Sequence, residues 1–194
     1  MRPSSIARLA SCALLVAAMA ACSSGGGKSA PPPPPCDGAC QDATAIHGLR
    51  DMVKLAFNVT LQGKDVGPQD ASAPCPLGGT VHVSGDATSN AVQGATNVDL
   101  VYTFDRCAYS EKDTDPKSTY ALTVTGDVHE LGVLAVQPTA TTSVQFHSDA
   151  LTLTGSVYAP PIEYTAADAC ALDLGQNGNA LAGKLCGRDV GLTL

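Results

Sequence analysis

The chain has 194 residues, a formal net charge of −7 and no Trp, with five Tyr and three Phe. An acidic chain does not bind nucleic acid or anionic lipid through its overall field. Few aromatics leave a core mostly of Val, Leu and Ala and lower the odds of a sugar-stacking platform.

Met1 to Ala21 has the parts of an export signal: Arg2 and Arg8 first, a short apolar run from Leu9 to Ala18, then Ala20 and Ala21. The run is shorter than the roughly 20 residues a membrane-crossing helix needs. Met19-Ala20-Ala21-Cys22 resembles the lipobox of bacterial lipoproteins, although Met19 replaces the more usual leucine. The resemblance implies cleavage before Cys22, lipid on the Cys22 thiol and acylation of its amine. The alternative is an ordinary signal peptide that leaves Cys22 as a free thiol. Several acyl chains would hold the protein firmly, since one chain binds only marginally. In lipoproteins of Gram-negative bacteria a residue other than aspartate after the cysteine implies the outer membrane, and here it is Ser23. Loss of Arg2 and Arg8 with the signal takes the formal charge from −7 to −9.

Residues 22–35 are expected to be the lipidated cysteine and a tether. The run Ser23 to Gly27 is flexible, and Pro31 to Pro35 is a stiff polyproline II rod. Its span of at most about 45 Å clears the lipid head groups. Residues 36–194 are left as a single domain of ordinary size, long enough for a real core.

That domain holds six cysteines: Cys36, Cys40, Cys75, Cys107, Cys170 and Cys186. An even number in an oxidising compartment reads as three disulfides. Metal binding is the weaker reading, because no C-x-x-C pair exists and the spacings are irregular.

Asp42 is a candidate helix cap. Ile46, Leu49, Val53 and Ala56 or Phe57 recur at helical spacing, so an amphipathic helix is expected over residues 43–57, with Arg50, Asp51 and Lys54 on its wet face. Its apolar stripe needs a sheet to pack on. Gly63, Gly67 and Pro68 close this region.

From Gly79 the period becomes two. Val81 and Val83 begin it; Val98, Leu100, Tyr102 and Phe104 follow, then Tyr120, Leu122, Val124 and Val128. Val144 and Phe146, then Leu151, Leu153 and Val157, then Cys170, Leu172 and Leu174, and last Leu181 to Cys186 continue it. Short Thr- and Val-rich runs bounded by Gly, Asn, Asp and Pro predict an antiparallel sheet with one buried face. The expected fold is mainly β, a curled or barrel-like sheet of seven or eight strands with one N-terminal helix. Gly85, Gly126 and Gly155 sit inside similar runs and mark bulges or bends where a sheet curls.

Asn177-Gly178 is a strong turn signal. A three-residue loop centred on Gly178 would set residue 170 opposite 186 and allow a Cys170–Cys186 bond, worth about 3 kcal/mol in the chain-entropy model. Cys75 and Cys107 flank the first long hairpin, where Val81 and Leu100 have opposite parity and a bulge is expected. Cys36 and Cys40 are the third pair, unless one of them staples the N-terminal segment to the sheet.

Cys75-Pro76-Leu77-Gly78-Gly79, Phe104-Asp105-Arg106-Cys107 and Leu122-Thr123-Val124-Thr125-Gly126 resemble C-P-x-G-G, F-x-x-C and L-T-x-x-G motifs of a set of uncharacterised Gram-negative lipoproteins. The resemblance covers about half the domain and bears on fold and location, not on activity.

No catalytic residue stands out. No G-x-S-x-G elbow occurs, and no spacing selects a triad. His82, His129 and His147 should face outward, and scattered solvated histidines are far commoner than a three-imidazole metal site. His47 reads as a surface residue. Glu111, Asp113 and Asp115 form a solvated loop without an EF-hand pattern. The expectation is therefore a non-enzymatic envelope module with no metal or cofactor. Its one stated partner is the membrane, through the N-terminal lipid, and it binds no nucleic acid. The alternative is a carrier of an apolar ligand inside the curled sheet.

Overall fold

The computed structural model describes residues 32, 34–90, 94–135 and 141–194. Cys22, the signal segment and most of the tether lie outside these residues. Pro33–Leu194 form one compact unit.

The helix α1 (Gly38–Leu61) is longer than the expected 43–57 at both ends. Its cap is Asp37, not Asp42: the Cys40 amide donates to Asp37 Oδ1 at 2.9 Å. An N-cap acceptor satisfies a helix-end amide that has no partner within the helix. The cap therefore starts the helix one turn earlier, and Asp42 is left free for another role.

Among the described residues nine strands follow. They are β1 (Gly67–Pro74), β2 (Thr80–Asn90), β3 (Ala95–Glu111), β4 (Tyr120–Ala135), β5 (Ser143–Val157), β6 (Ile162–Thr165), β7 (Cys170–Asn177), β8 (Ala180–Leu185) and β9 (Arg188–Thr193). All pairings are antiparallel, in the order β1-β2-β3-β4-β5-β7-β8-β9, with β6 on the C-terminal half of β5. The edges β1 and β9 do not pair with each other, so the sheet stays open. It curls around α1, which touches both edge strands as well as β2 to β5.

The core lies between the helix and the concave face. Ile46, Leu49, Met52, Val53 and Ala56 are all buried on α1. Facing them are Val83, Leu100, Tyr102, Leu122, Leu153, Leu172 and Leu181. Gly48 sits where α1 comes close to β4: a Cβ there would lie 2.6 Å from Leu122 and 2.9 Å from Tyr120. A mid-helix glycine costs about 1 kcal/mol relative to Ala, and the close approach of helix to sheet explains its place here.

Two bulges set the parity of the long strands. In β3 the register against β4 shifts between Phe104 and Cys107, with Arg106 at φ 48°. The shift moves the inward set from Phe104 to Cys107. The bulge expected between β2 and β3 is not there: Val81 pairs with Phe104 and Val83 with Tyr102 without interruption, since an odd residue opposite an even one is ordinary antiparallel register. In β5 the register against both neighbours shifts after Ser148. One strand therefore carries both Phe146 and Leu151 inward. Gly155 (φ +140°) lets β5 and β4 approach closely; a Cβ there would be 2.1 Å from the Ala121 carbonyl oxygen.

The six cysteines join as Cys36–Cys40, Cys75–Cys107 and Cys170–Cys186. The last bond does not use the expected register. Asn177 pairs with Ala180 across a two-residue turn, and Leu172 pairs with Leu185. Cys186 is not directly opposite Cys170; it lies in the turn after β8, at φ 49°, with its amide bonded to the Ala171 carbonyl. Among the described residues, no helix is long and apolar enough to cross a membrane.

Candidate functional site

The unit has two distinct ends. At the proximal end the chain enters: the Tyr158 hydroxyl donates to the Pro34 carbonyl. The turns after β1, β5 and β8 and the loop after β3 lie here, and so do the three disulfides. At the distal end are the ends of β2 and β4, the turn after β7 and the C-terminal half of α1.

The proximal end holds an ion pair with one buried partner. Asp42, only 6% exposed, accepts from Arg188 Nε at 2.7 Å and Nη2 at 2.9 Å, and from the Tyr164 hydroxyl at 2.8 Å. Burial works to raise the Asp42 carboxyl, but the Arg188 and Tyr164 hydrogen bonds and the Arg188 charge outweigh it and hold it below the usual range. This cluster fastens the first turns of α1 to β9 and β6.

A second cluster lies farther along the helix. Asp51 accepts from the Tyr120 hydroxyl at 2.7 Å and from Arg50 at 3.3 Å, and His47 is 3.4 Å away. Burial and the Asp51 bond push the Tyr120 phenol up. Neighbouring Tyr109, bonded to Glu111, rises to about 12, mainly through burial.

The distal end has a groove of about 220 Å³ between α1 and β3, β4, β5 and β7. Val53, Phe57, Leu134 and Phe146 supply apolar walls, and Arg50, Lys54, Glu130 and Gln176 supply polar groups. Glu130 is only 3% exposed. It accepts from the Tyr102 hydroxyl at 2.6 Å. Burial raises the Glu130 carboxyl; the Tyr102 bond and the charge of Arg50 oppose this and do not overcome it. Burial, reinforced by Glu130, also pushes the Tyr102 phenol up. Gln176 orients Arg50: its Oε1 accepts from Arg50 Nε at 3.2 Å while its Nε2 donates to the Gly178 carbonyl at 2.9 Å.

Alternation in β4 marks Glu130. Val128 faces the core, so alternation puts residue 130 inward too, and a charged residue at an inward position flags a site. Gln176 follows Leu172 and Leu174 in the same way. The buried role of Asp42 had no such mark, because its partner Arg188 lies in a strand without strong periodicity.

The histidines expected to face outward do so. His129 and His147 are cross-strand partners, and each is bonded to its own carboxylate, Asp99 at 2.6 Å and Asp149 at 3.2 Å. His82 lies on another row, beside Ser72 and Asp70. Among the described residues no three His, Cys, Asp or Glu side chains come together as a metal site. In the loop after β3, Asp113 accepts from the Asp115 amide and the Thr114 hydroxyl, which lower its carboxyl, and it remains fully exposed.

The chain matches no family model, no curated protein and no solved structure.

Proposed function

We propose that the chain is an envelope lipoprotein, anchored in the outer membrane through lipid on Cys22 and held off the surface by residues 22–35. Its folded unit serves as a structural or interaction module and not as an enzyme. The observation that carries this reading is the position of α1. The helix occupies the concave face of the sheet, where a hollow barrel would hold a lipid-sized ligand. The buried carboxyl of Asp42 and its partner Arg188 are spent on fastening that helix. The competing reading, a carrier of an apolar ligand, needs the concave face to be free.

Two measurements on membrane-extracted protein test the proposal. Intact mass should show the chain beginning at Cys22 with acyl chains attached, and Cys22→Ser should move it to the soluble fraction. An unmodified Cys22 in membrane-extracted protein defeats the anchoring part. Native mass spectrometry should show no co-purifying apolar molecule; a stoichiometric one favours the carrier.

A further inference from the structure

The distal groove combines features that no part of the envelope-module reading uses. The domain is strongly acidic, with only eight Lys and Arg residues from position 36 onward, yet two of them, Arg50 and Lys54, line this groove. Lys54 has no carboxylate within ion-pair distance among the described residues. Glu130 lines the same groove, is almost wholly buried, and has a phenol where Asp42 has a guanidinium. A buried carboxylate is costly unless a cation meets it. The remaining walls are apolar.

Three ligand chemistries can be weighed against this set. An apolar amine would meet Glu130 but face two cations. An apolar carboxylate would meet the cations but leave Glu130 against hydrocarbon. A zwitterion gives Glu130 and Lys54 partners of opposite sign, and Arg50, which also bonds Asp51 at 3.3 Å, adds its charge on the Lys54 side. Size narrows the choice: a cavity of ~150 Å³ holds one benzene. By the same scale, about 220 Å³ holds a body of about nine heavy atoms. An aliphatic α-amino acid has that size, and its two charges are separated by one carbon.

We propose that the distal groove binds an aliphatic α-amino acid of leucine size, its ammonium on Glu130, its carboxylate on Arg50 and Lys54, and its side chain against Val53, Phe57, Leu134 and Phe146. Gln176 positions Arg50 for this contact. The site is separate from the anchor and does not depend on it.

Calorimetric titration of the detergent-extracted full chain tests this with three probes: leucine, N-acetylleucine, which lacks the ammonium, and leucinamide, which lacks the carboxylate. Leucine should bind, and each blocked analogue should bind at least about tenfold more weakly, or about 1.4 kcal/mol. Glu130→Gln should weaken leucine to the level of N-acetylleucine and leave N-acetylleucine unchanged. Lys54→Met, at an exposed position where folding is not at risk, should weaken leucine and leave leucinamide unchanged. Equal binding of the three probes, or no heat with leucine at about 10 mM, well above a millimolar Kd, overturns the proposal. So does a Lys54→Met chain that binds leucine as tightly as the parent.

Discussion

Asp42 at the proximal end and Glu130 at the distal end are both buried carboxyl groups, but their surroundings differ. Asp42 has a bidentate guanidinium and a phenol. Glu130 has one phenol hydrogen bond, with Arg50 acting on it only through charge. The first carboxyl is held below its usual range and the second above it. The covalent links follow the same division, since the disulfides lie at the proximal end. At the end where Pro34 meets Tyr158, the fold is closed by disulfides and an ion pair. At the other end a charge is left short of a partner beside an opening. A group kept in that state is suited to meet something from outside, whereas Asp42 is suited to stay as it is.

The largest expected effect comes from cutting the covalent side of this contrast. Replacing Cys75 and Cys107 together with Ala opens a link of sequence separation 32. The chain-entropy model puts the loss at about 3.7 kcal/mol. Urea denaturation should show the midpoint fall and the slope rise, because the unfolded chain without its cross-link exposes more surface. A loss below about 1 kcal/mol would mean that packing, not the cystine, holds the proximal end.

Arg188→Met comes next. It leaves Asp42 buried with only the Tyr164 bond. Removing one partner of a fully buried pair costs 3–5 kcal/mol, but the Arg188 side chain is 52% exposed. Water can replace part of what is lost, so a fall of about 1–2 kcal/mol at neutral pH is expected. The pH dependence sharpens the test. A carboxyl depressed on folding gives stability that is present above its unfolded pKa and lost as pH falls through the folded value. The parent should therefore lose stability on the acid side through Asp42, and Arg188→Met should flatten that slope.

Much of the architecture was legible because the central strands carry large inward residues at period two. Tyr102, Phe104, Leu122 and Leu153 all fall where alternation places them. The edges were not legible. In β1 the inward positions are Gln69, Ala71 and Ala73, and prolines stand at positions 68 and 74, so the strand lacks β-branched and aromatic residues. Pro is tolerated there because an edge strand needs only one side of its ladder. The strand β5 read as two runs because its bulge reverses parity after Ser148, and β6 and β9 are short. The cystine at Cys170 and Cys186 was legible as a pair although its register was not, because a turn residue at positive φ can reach where a strand residue would not. The groove was the least legible part. It joins Arg50 and Lys54 on the helix to Glu130 and Gln176 on distant strands, and sequence spacing carries no trace of that meeting.

The smallest expected effect is the most specific to the distal end. A carboxyl raised on folding is more readily protonated in the native chain than in the unfolded one. Between the unfolded pKa and the folded pKa the native state binds more protons, so stability falls as pH rises across that window. This is opposite in sign to the Asp42 contribution, and the two act in separate windows: stability rises with pH up to the unfolded pKa of Asp42 and falls with pH above that of Glu130. Glu130→Gln keeps an acceptor for the Tyr102 hydroxyl and removes the charge. The variant should lack the decline on the alkaline side and, at pH 8, be more stable than the parent by about 1 kcal/mol, the lower end of the cost of a buried polar group short of partners. Thermal unfolding from pH 4 to pH 8 measures both. A variant less stable than the parent at pH 8 would show that Glu130 is fully compensated in its ionised form, and the contrast between the two ends would disappear. The same titration repeated with saturating leucine ties stability to occupancy: an ammonium on Glu130 favours the ionised form, so the alkaline decline of the parent should shrink.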